Sequence, residues 1–572
     1  MRRFYIGLGA TIHDSALAIV GPSGEPLFAE ATERYIQRKK AYNCPPDDLI
    51  RAPELIAEHC GGDAELMVAV TWSQEHLTRL NLMCGHQLLR KCNDEATWPM
   101  PDPVALLVGL RNSISQASLN LVSSKQIPNG VAVTYFDHHL THAANAVYTS
   151  PFEQCAVAVI DAYGETGSTG FFRYQEGSLT PISTGAQGSG PPASLGFFYS
   201  RLCALCGFDP IKGEEWKVMG LAPYGTLSPE IYDLLRPMIR VDDLTLTSAC
   251  SEADMSDRMR RLKSIGRRPG ASPMEAADLA YAGQLVFEEV MTELLNNLYK
   301  REISDDLAIS GGCALNSAYN GKIIEQTGFK NVHVPAAPGD DGNALGAAFL
   351  AYRFDQPEAK LQHEIRSPYL GSRMPEAEVK TALEFGRFGK LTKSSSEASE
   401  NAAALLAQNK IIGWCQGRAE FGPRALGNRS ILADPRSIDM KDRINTQVKF
   451  REGFRPFAPS ILDEYGPKFF ENYQTSPYME RTLRFRPEVR EKVPAVVHVD
   501  GTGRLQSVRR EWNPRYYDLI ESFRKRTGIP LILNTSLNVM GRPIVHSLED
   551  ALGVLFTSGL DALVVENHVI EK

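Results

Sequence analysis

Residues 155–179, CAVAVIDAYGETGSTGFFRYQEGSL, decide the fold. An apolar run closes on Asp161, a Gly- and Thr-rich stretch follows, and a second apolar run resumes at Phe171. Apolar runs bounded by glycine read as strands, and the segment between them as a turn. Glycines there let backbone N–H groups approach a phosphate, and a carboxylate at the strand end can hold a cation. Residues 2–21, RRFYIGLGATIHDSALAIVG, repeat the pattern, with His13 and Asp14 on the turn and a further strand expected near EPLFAEATE. Residues 306–328, DLAISGGCALNSAYNGKIIEQTG, read as strand, double glycine and helix. Each unit alone is a weak signal. The three in this order have the logic of a nucleotide site: two phosphate turns ending in acids, then room for an adenosine against a helix start.

Residues 130–150, GVAVTYFDHHLTHAANAVYTS, predict a strand running into a small-residue helix. On that helix His138 and His142 share a face, as paired metal ligands would, and His139 points elsewhere. A surface helix that carries histidines is the alternative. Residues 331–354, NVHVPAAPGDDGNALGAAFLAYRF, predict a short strand, an acidic loop with Asp340 and Asp341, and an Ala/Gly helix.

The chain has 572 residues, too many for one core, and 43% hydrophobic with 23% charged residues is ordinary globular usage. A charged, proline-containing stretch after Asp355 sets a boundary near residue 365, giving domains 1–365 and 366–572. The net charge of -7 argues against a general nucleic-acid binder. No apolar run reaches membrane-span length, and the N-terminus, interrupted by His13 and Asp14, reads as a strand rather than a signal peptide. Ten cysteines are scattered, and Cys203 and Cys206 read as buried thiols of a reduced cytosol rather than a zinc knuckle. A cytoplasmic location is expected.

The second domain is basic where it matters. From Arg418 to Arg455 there are nine Lys/Arg against five acids, several flanking Gly or Pro, which predicts loops rather than a solvated helix face. Arginine forks match phosphate oxygens. A solvated basic strip is the alternative. In LILNTSLNVMGRPIV, Asn534 and Ser536 follow an apolar strand where an anion can bind.

Together the blocks IHDSA, ERYIQRKK, HHLTHAANA, EEWKVMGLAPYG, SGGCALNSAYNGK, GDDGNALGAA, GRAEFGPRALGNRSILADP, FRPFAPS and LNTSLN resemble the O-carbamoyltransferases that decorate natural products, such as the tobramycin, cephamycin and nodulation-factor enzymes. The resemblance spans essentially the whole chain. It implies an α/β protein with an N-terminal actin-like ATPase (ASKHA) domain, similar to that of the tRNA threonylcarbamoyl-adenosine transferase, followed by a C-terminal YrdC-like α/β domain. It implies that carbamoyl phosphate and ATP give carbamoyl-adenylate in the second domain. The adenylate then moves internally to the first, where a substrate hydroxyl attacks it.

The resemblance also assigns roles. His13 matches the general base that an alcohol nucleophile needs, with Asp14 as its orienter. His138, His142, Asp161 and Asp340 match the metal ligands, the ion being Fe(2+), with Asp341 a solvated neighbour and His139 a packing residue. Lys40, Gly312 and Asn316 match nucleotide contacts. Lys217 reaches the same site or packs its stem along the sheet. Arg418, Arg424, Lys449, Arg455, Arg504, Asn534 and Ser536 match the cradle for carbamoyl phosphate and ATP. The second phosphate turn departs from the family in Ala162, where glycine is usual, which predicts a slightly altered approach of nucleotide or substrate. Residues 73–130 match no block and are a candidate for acceptor specificity.

The expected partner is a small molecule bearing a hydroxyl, with no nucleic acid and no membrane. Oligomeric state stays open, a homodimer being one option. A tRNA-modifying enzyme built on the same two domains is the competing reading. The -7 charge and the lack of a second basic stripe count against it.

Overall fold

The computed structural model describes residues 2–61, 64–87, 103–124, 131–182, 193–359, 362–386, 392–394 and 397–572. The stretch expected to set acceptor specificity lies partly outside them, at 88–102 and 125–130. The chain is mixed α/β and forms two compact units. Unit 1 comprises Met1–Thr32, Lys40–Asn316 and Lys322–Arg366; unit 2 comprises Glu33–Lys39, Ser317–Gly321 and Ser367–Lys572. The two segments Glu33–Lys39 and Ser317–Gly321 cluster with unit 2 although the chain around them belongs to unit 1.

Among the described residues, unit 1 holds two five-stranded sheets. The first is built from β1 (Arg3–Gly9), β2 (Ala16–Val20), β3 (Pro26–Ala31), β4 (Glu65–Thr71) and β5 (Val131–Phe136), in the order β3-β2-β1-β4-β5. The second takes β6 (Gln154–Ile160), β7 (Thr169–Gln175) and β8 (Ser178–Pro181) and, after the hairpin β9 (Arg240–Asp242) and β10 (Thr245–Thr247), β11 (Asp306–Ser310) and β12 (Asn331–His333), in the order β12-β11-β6-β7-β8. Both sheets follow one plan, an antiparallel meander whose first strand pairs in parallel with a later strand and, through it, another. Strands β2 and β6 are apolar and almost wholly buried, as strands covered on both faces require.

The helices His138–Tyr148 and Asn343–Asp355 meet through small residues. A Cβ on Gly346 would lie 1.9 Å from Thr141 O, and one on Gly7 of β1 1.7 Å from Ala344 O. Only glycine permits either approach.

The helix expected after the double glycine is broken. Gly311 sits at φ 92, a 3-10 turn spans Gly312–Leu315, and two short helical pieces follow, Ser317–Asn320 and Ile323–Gln326. Between those pieces, Gly321 has no room for a side chain: its Cβ would lie 2.0 Å from Thr482 O. Cys203 and Cys206 are buried free thiols, and burial pushes Cys206 up to about 12.

Unit 2 is built on a nine-stranded sheet of described residues: β13 (Thr392–Ser394), β14 (Ile412–Cys415), β15 (Arg429–Ala433), β16 (Ala458–Leu462), β17 (Arg481–Arg484), β18 (Thr502–Val508), β19 (Leu531–Ser536), β20 (Ala562–Val565) and β21 (His568–Glu571). Its order is β13-β21-β20-β14-β15-β19-β16-β18-β17, with Trp414, Leu432, Ile461, Phe523 and Leu563 in its core. The basic stretch is not all loop, which corrects the sequence expectation. Arg429 lies in β15, Arg443 in the helix Met440–Arg443, and Lys449 closes a π-helical turn, Ile444–Lys449. Among the described residues, no helix is long and apolar enough to cross a membrane.

Candidate functional site

In unit 1 the helix His138–Tyr148 starts on Asp137, whose Oδ1 accepts the Leu140 N–H at 2.8 Å. The aspartate ahead of the histidines is therefore an N-cap. Asp161 arrives from the end of β6 and Asp340 from the turn before Asn343–Asp355. His142 Nε2 lies 3.4 Å from Asp161 Oδ2 and 3.3 Å from Asp340 Oδ1; His138 Nε2 lies 3.4 and 3.7 Å from the same atoms. One donor atom of each of the four falls within 4.8 Å of the others.

The chemistry of this set suits a cation. Ser310 Oγ donates to Pro338 O at 3.1 Å and so faces His142 Nδ1, 3.3 Å away, as an acceptor. In the neutral ring Nδ1 then carries the proton, and the buried Nε2 is the nitrogen that faces Asp161 and Asp340. Burial opposes charge on His142, but Asp161 and Asp340 outweigh it and push its pKa up to about 9. Burial likewise opposes charge on Asp161, and the two histidines still hold it well below the usual carboxylate range. A divalent cation in place of the His142 proton would satisfy the same two carboxylates. Asp161 Oδ1 is occupied by the N–H groups of Ala162 at 2.8 Å and Gly312 at 3.2 Å. The Ala162 methyl is accommodated by Gly196, whose own Cβ would meet it at 2.8 Å. His139 is buried and its pKa is lowered to about 3 by burial and His138; a Cβ on Gly164 would lie 2.2 Å from its ring.

A second chain of polar groups touches this one. Lys40 Nζ donates to Asp14 Oδ2 at 2.6 Å, and the same oxygen lies 3.0 Å from His13 Nδ1. His13 Nδ1 is 3.9 Å from Asp340 Oδ2. Burial and Lys40 disfavour charge on His13, Asp14 and Asp340 favour it, and the net pKa is raised. Asp14 and Lys40 both adopt positive φ, 56 and 66, and the Asp14 N–H bonds Lys40 O at 2.9 Å. Such backbone strain persists where the surroundings hold it. The remaining expected nucleotide contacts are spread out. Gly312 N–H serves Asp161, and Asn316 forms an amide pair with Gln284 at 3.0 and 3.2 Å. Lys217 is buried, ion-paired to Glu214 at 2.8 Å with Nζ 5.2 Å from the centre of the Phe208 ring.

Unit 2 gathers cations. Burial lowers Arg424 to about 10; burial and Arg455 lower Arg451 to about 9. Burial, with Arg424 and Arg451, holds Arg504 well below the guanidinium range. Lys449 is depressed by burial and by Arg451, Arg455 and Lys39. Against them stands Glu452, ion-paired to Arg455 at 3.2 Å. Lys449 Nζ donates to Ser536 Oγ at 3.2 Å and Asn538 Oδ1 at 2.7 Å. Positive charge buried at this density favours an anion. The loop bearing Arg424 is held by Glu420, whose Oε1 accepts the N–H groups of Leu426, Asn428 and Arg429 at 2.6, 3.0 and 3.1 Å.

Two expected members make hydrogen bonds to neighbouring loops and strands. Arg418 donates to Gly371 O at 3.1 Å and to Leu370 O, bracing its own loop. Asn534 is buried and donates to Ala425 O at 3.1 Å, Ser460 Oγ at 3.0 Å and Gln506 Oε1 at 3.1 Å. Arg451 belongs to the group and was not selected from sequence, although FREGFRPF places it four residues before Arg455. Ser310 also escaped selection; its position directly before the double glycine was the available signal.

Two protein-family models match the chain: "Carbamoyltransferase N-terminus" over residues 107–349 and "Carbamoyltransferase C-terminus" over residues 403–572. Nodulation protein NolNO of Sinorhizobium fredii is 38% identical over 98% of this chain and 79% of its own length. Nodulation protein U of Rhizobium tropici is 40% identical over 93% and 90%. Among solved structures, component A of the Acidaminococcus fermentans (R)-2-hydroxyglutaryl-CoA dehydratase aligns at 12% identity over 62% of this chain and 99% of that one, with a TM-score of 0.33, too low to define a shared fold. Identity at this level, sustained along both curated relatives, makes the chain a member of the carbamoyltransferase family and an enzyme of that class.

Proposed function

We propose that the protein is an ATP-dependent O-carbamoyltransferase acting on a hydroxyl of a small-molecule natural product. Carbamoyl phosphate, ATP and water give carbamoyl-adenylate, phosphate and pyrophosphate in unit 2. The acceptor alcohol takes the carbamoyl group in unit 1, and AMP leaves. The observation that carries this reading is the buried group of Arg424, Lys449, Arg451, Arg455 and Arg504 in unit 2, separate from the imidazole and carboxylate donors of unit 1. A single-step transfer would need one anion site, whereas adenylate formation and its use need two.

In unit 2 the cations bind the phosphoryl oxygens, and Ser536 Oγ beside Lys449 donates to the same anion. In unit 1, Asp14 accepts the Nδ1–H of His13, so that Nε2 takes the hydroxyl proton. His138, His142, Asp161 and Asp340 would hold a divalent cation, Fe(2+) in our reading, and such an ion would supply positive charge opposite a phosphate. The repeated order of the two unit 1 sheets supports an actin-like ATPase fold there, and unit 2 is read as the YrdC-like adenylating domain. Nodulation proteins among the relatives support a natural-product acceptor, and the net charge of -7 disfavours tRNA.

The test is incubation with ATP and carbamoyl phosphate without acceptor, followed by mass spectrometry. Carbamoyl-adenylate with pyrophosphate is expected. ATP consumption that requires bicarbonate and threonine instead would transfer the reading to tRNA modification, and no consumption would remove the adenylation step.

A further inference from the structure

Trp72 follows β4 with φ 73, a backbone conformation that bulky L residues rarely adopt. Its indole is buried, and its ring stacks on His138 with centroids 4.0 Å apart and planes 14° from parallel. The strained backbone is held by a distant residue. Glu165, on the turn after Asp161, accepts the Ser73 N–H at 2.6 Å and the Ser73 hydroxyl, and the same Oε1 lies 3.3 Å from the His138 N–H. One carboxylate thus ties the residue after Trp72 to the first residue of the histidine helix. The His138 ring is held on two sides: the Asn343 amide lies 3.3 Å from its Nδ1, and the indole face limits its rotation, so that Nε2 stays 3.4 Å from Asp161 Oδ2. Strain kept in place by a built contact points to a use for the conformation.

We propose that Trp72 and Glu165 are positioning residues for the unit 1 donor set: Glu165 locks the strained backbone, and Trp72 sets the plane of His138. The inference rests on the metal reading of His138, His142, Asp161 and Asp340. The packing role of Trp72 beside Leu80, Leu110 and Ile114 is the structural alternative.

Co2+ is the probe, added to the full chain, with affinity and visible d–d spectrum as readouts. Trp72→Leu fills the apolar site but has no flat face, and is expected to weaken Co2+ about 10- to 100-fold and alter the spectrum. Trp72→Phe restores a flat face and is expected to recover most of the affinity. Glu165→Ala, which keeps the tryptophan but unties its backbone from the histidine helix, is expected to weaken Co2+ as well and serves where Trp72→Leu does not fold. Adenylate formation in unit 2 stays at the wild-type rate in all three. Wild-type uptake of Co2+ with an unchanged constant and spectrum in Trp72→Leu, or in Glu165→Ala where Trp72→Leu does not fold, overturns this inference alone. A wild-type protein that takes up no Co2+ overturns the metal reading and this inference with it.

Discussion

Ser310 Oγ and His142 Nδ1 stand 3.3 Å apart, and because the serine hydroxyl is already spent on Pro338 O, this contact decides which nitrogen of His142 is free. Ser310→Ala removes the acceptor that fixes the tautomer. Divalent-metal affinity should fall about tenfold, read by calorimetric titration, while the fold is retained. Unchanged affinity would show that the tautomer is held by the carboxylates alone.

His13→Asn keeps the hydrogen bond to Asp14 but supplies no base. Carbamoyl-adenylate should still form, and transfer to an alcohol should drop by about 10²–10⁴-fold. A variant with full transfer activity would refute the assignment of His13.

The unit 2 cations repel one another when no anion is bound. Arg451→Met should therefore stabilise the ligand-free protein by about 1–3 kcal/mol and raise the KM for ATP or carbamoyl phosphate. Pyrophosphate should raise the melting temperature of the wild type more than that of the variant. The opposite order in thermal scans would mean that the cluster is neutralised within the protein.

Glu420→Ala leaves the N–H groups of Leu426, Asn428 and Arg429 without their acceptor. A loss of about 2–4 kcal/mol is expected in urea unfolding, with Glu420→Gln recovering part of it because its amide oxygen can accept. Equal loss in both variants would place the effect in the charge rather than in the loop.

Asp47 gives a pH dependence with a definite sign. Burial raises its pKa to about 6, while its Oδ2 accepts the Asn120 and Leu121 N–H groups at 3.0 and 3.3 Å. Between about pH 4 and 6 the folded chain holds a proton that the unfolded chain has released, so this group's contribution falls as pH rises through that window. About 3 kcal/mol is at stake, and Asp47→Asn should remove it. Denaturation midpoints at pH 4.5 and 7 compare the two proteins; parallel slopes would rule Asp47 out.

How far the sequence reached differs between the two sites. The face shared by His138 and His142 follows from helical spacing, and the place of Asp161 from an apolar run ending in an acid. Arg418 and Arg451 show the limit. Both lie in the same basic stretch, yet one braces backbone carbonyls and the other sits among the buried cations beside Arg504. Trp72 shows the same limit, because a positive φ leaves no mark on side-chain pattern.

What the sequence by itself determined is therefore local: strand and turn units, the histidine face, the excess of cations, and the blocks that carry the family. What only the tertiary structure decided is which distant residues meet. Asp340 reaches His142 because Gly346 lets two helices approach to backbone contact, and Glu165 reaches both Ser73 and His138 because β6 delivers its turn there. Periodicity along a chain encodes which face a side chain takes. Sheet pairing and helix approach, which are cooperative over the whole unit, set the distances between faces.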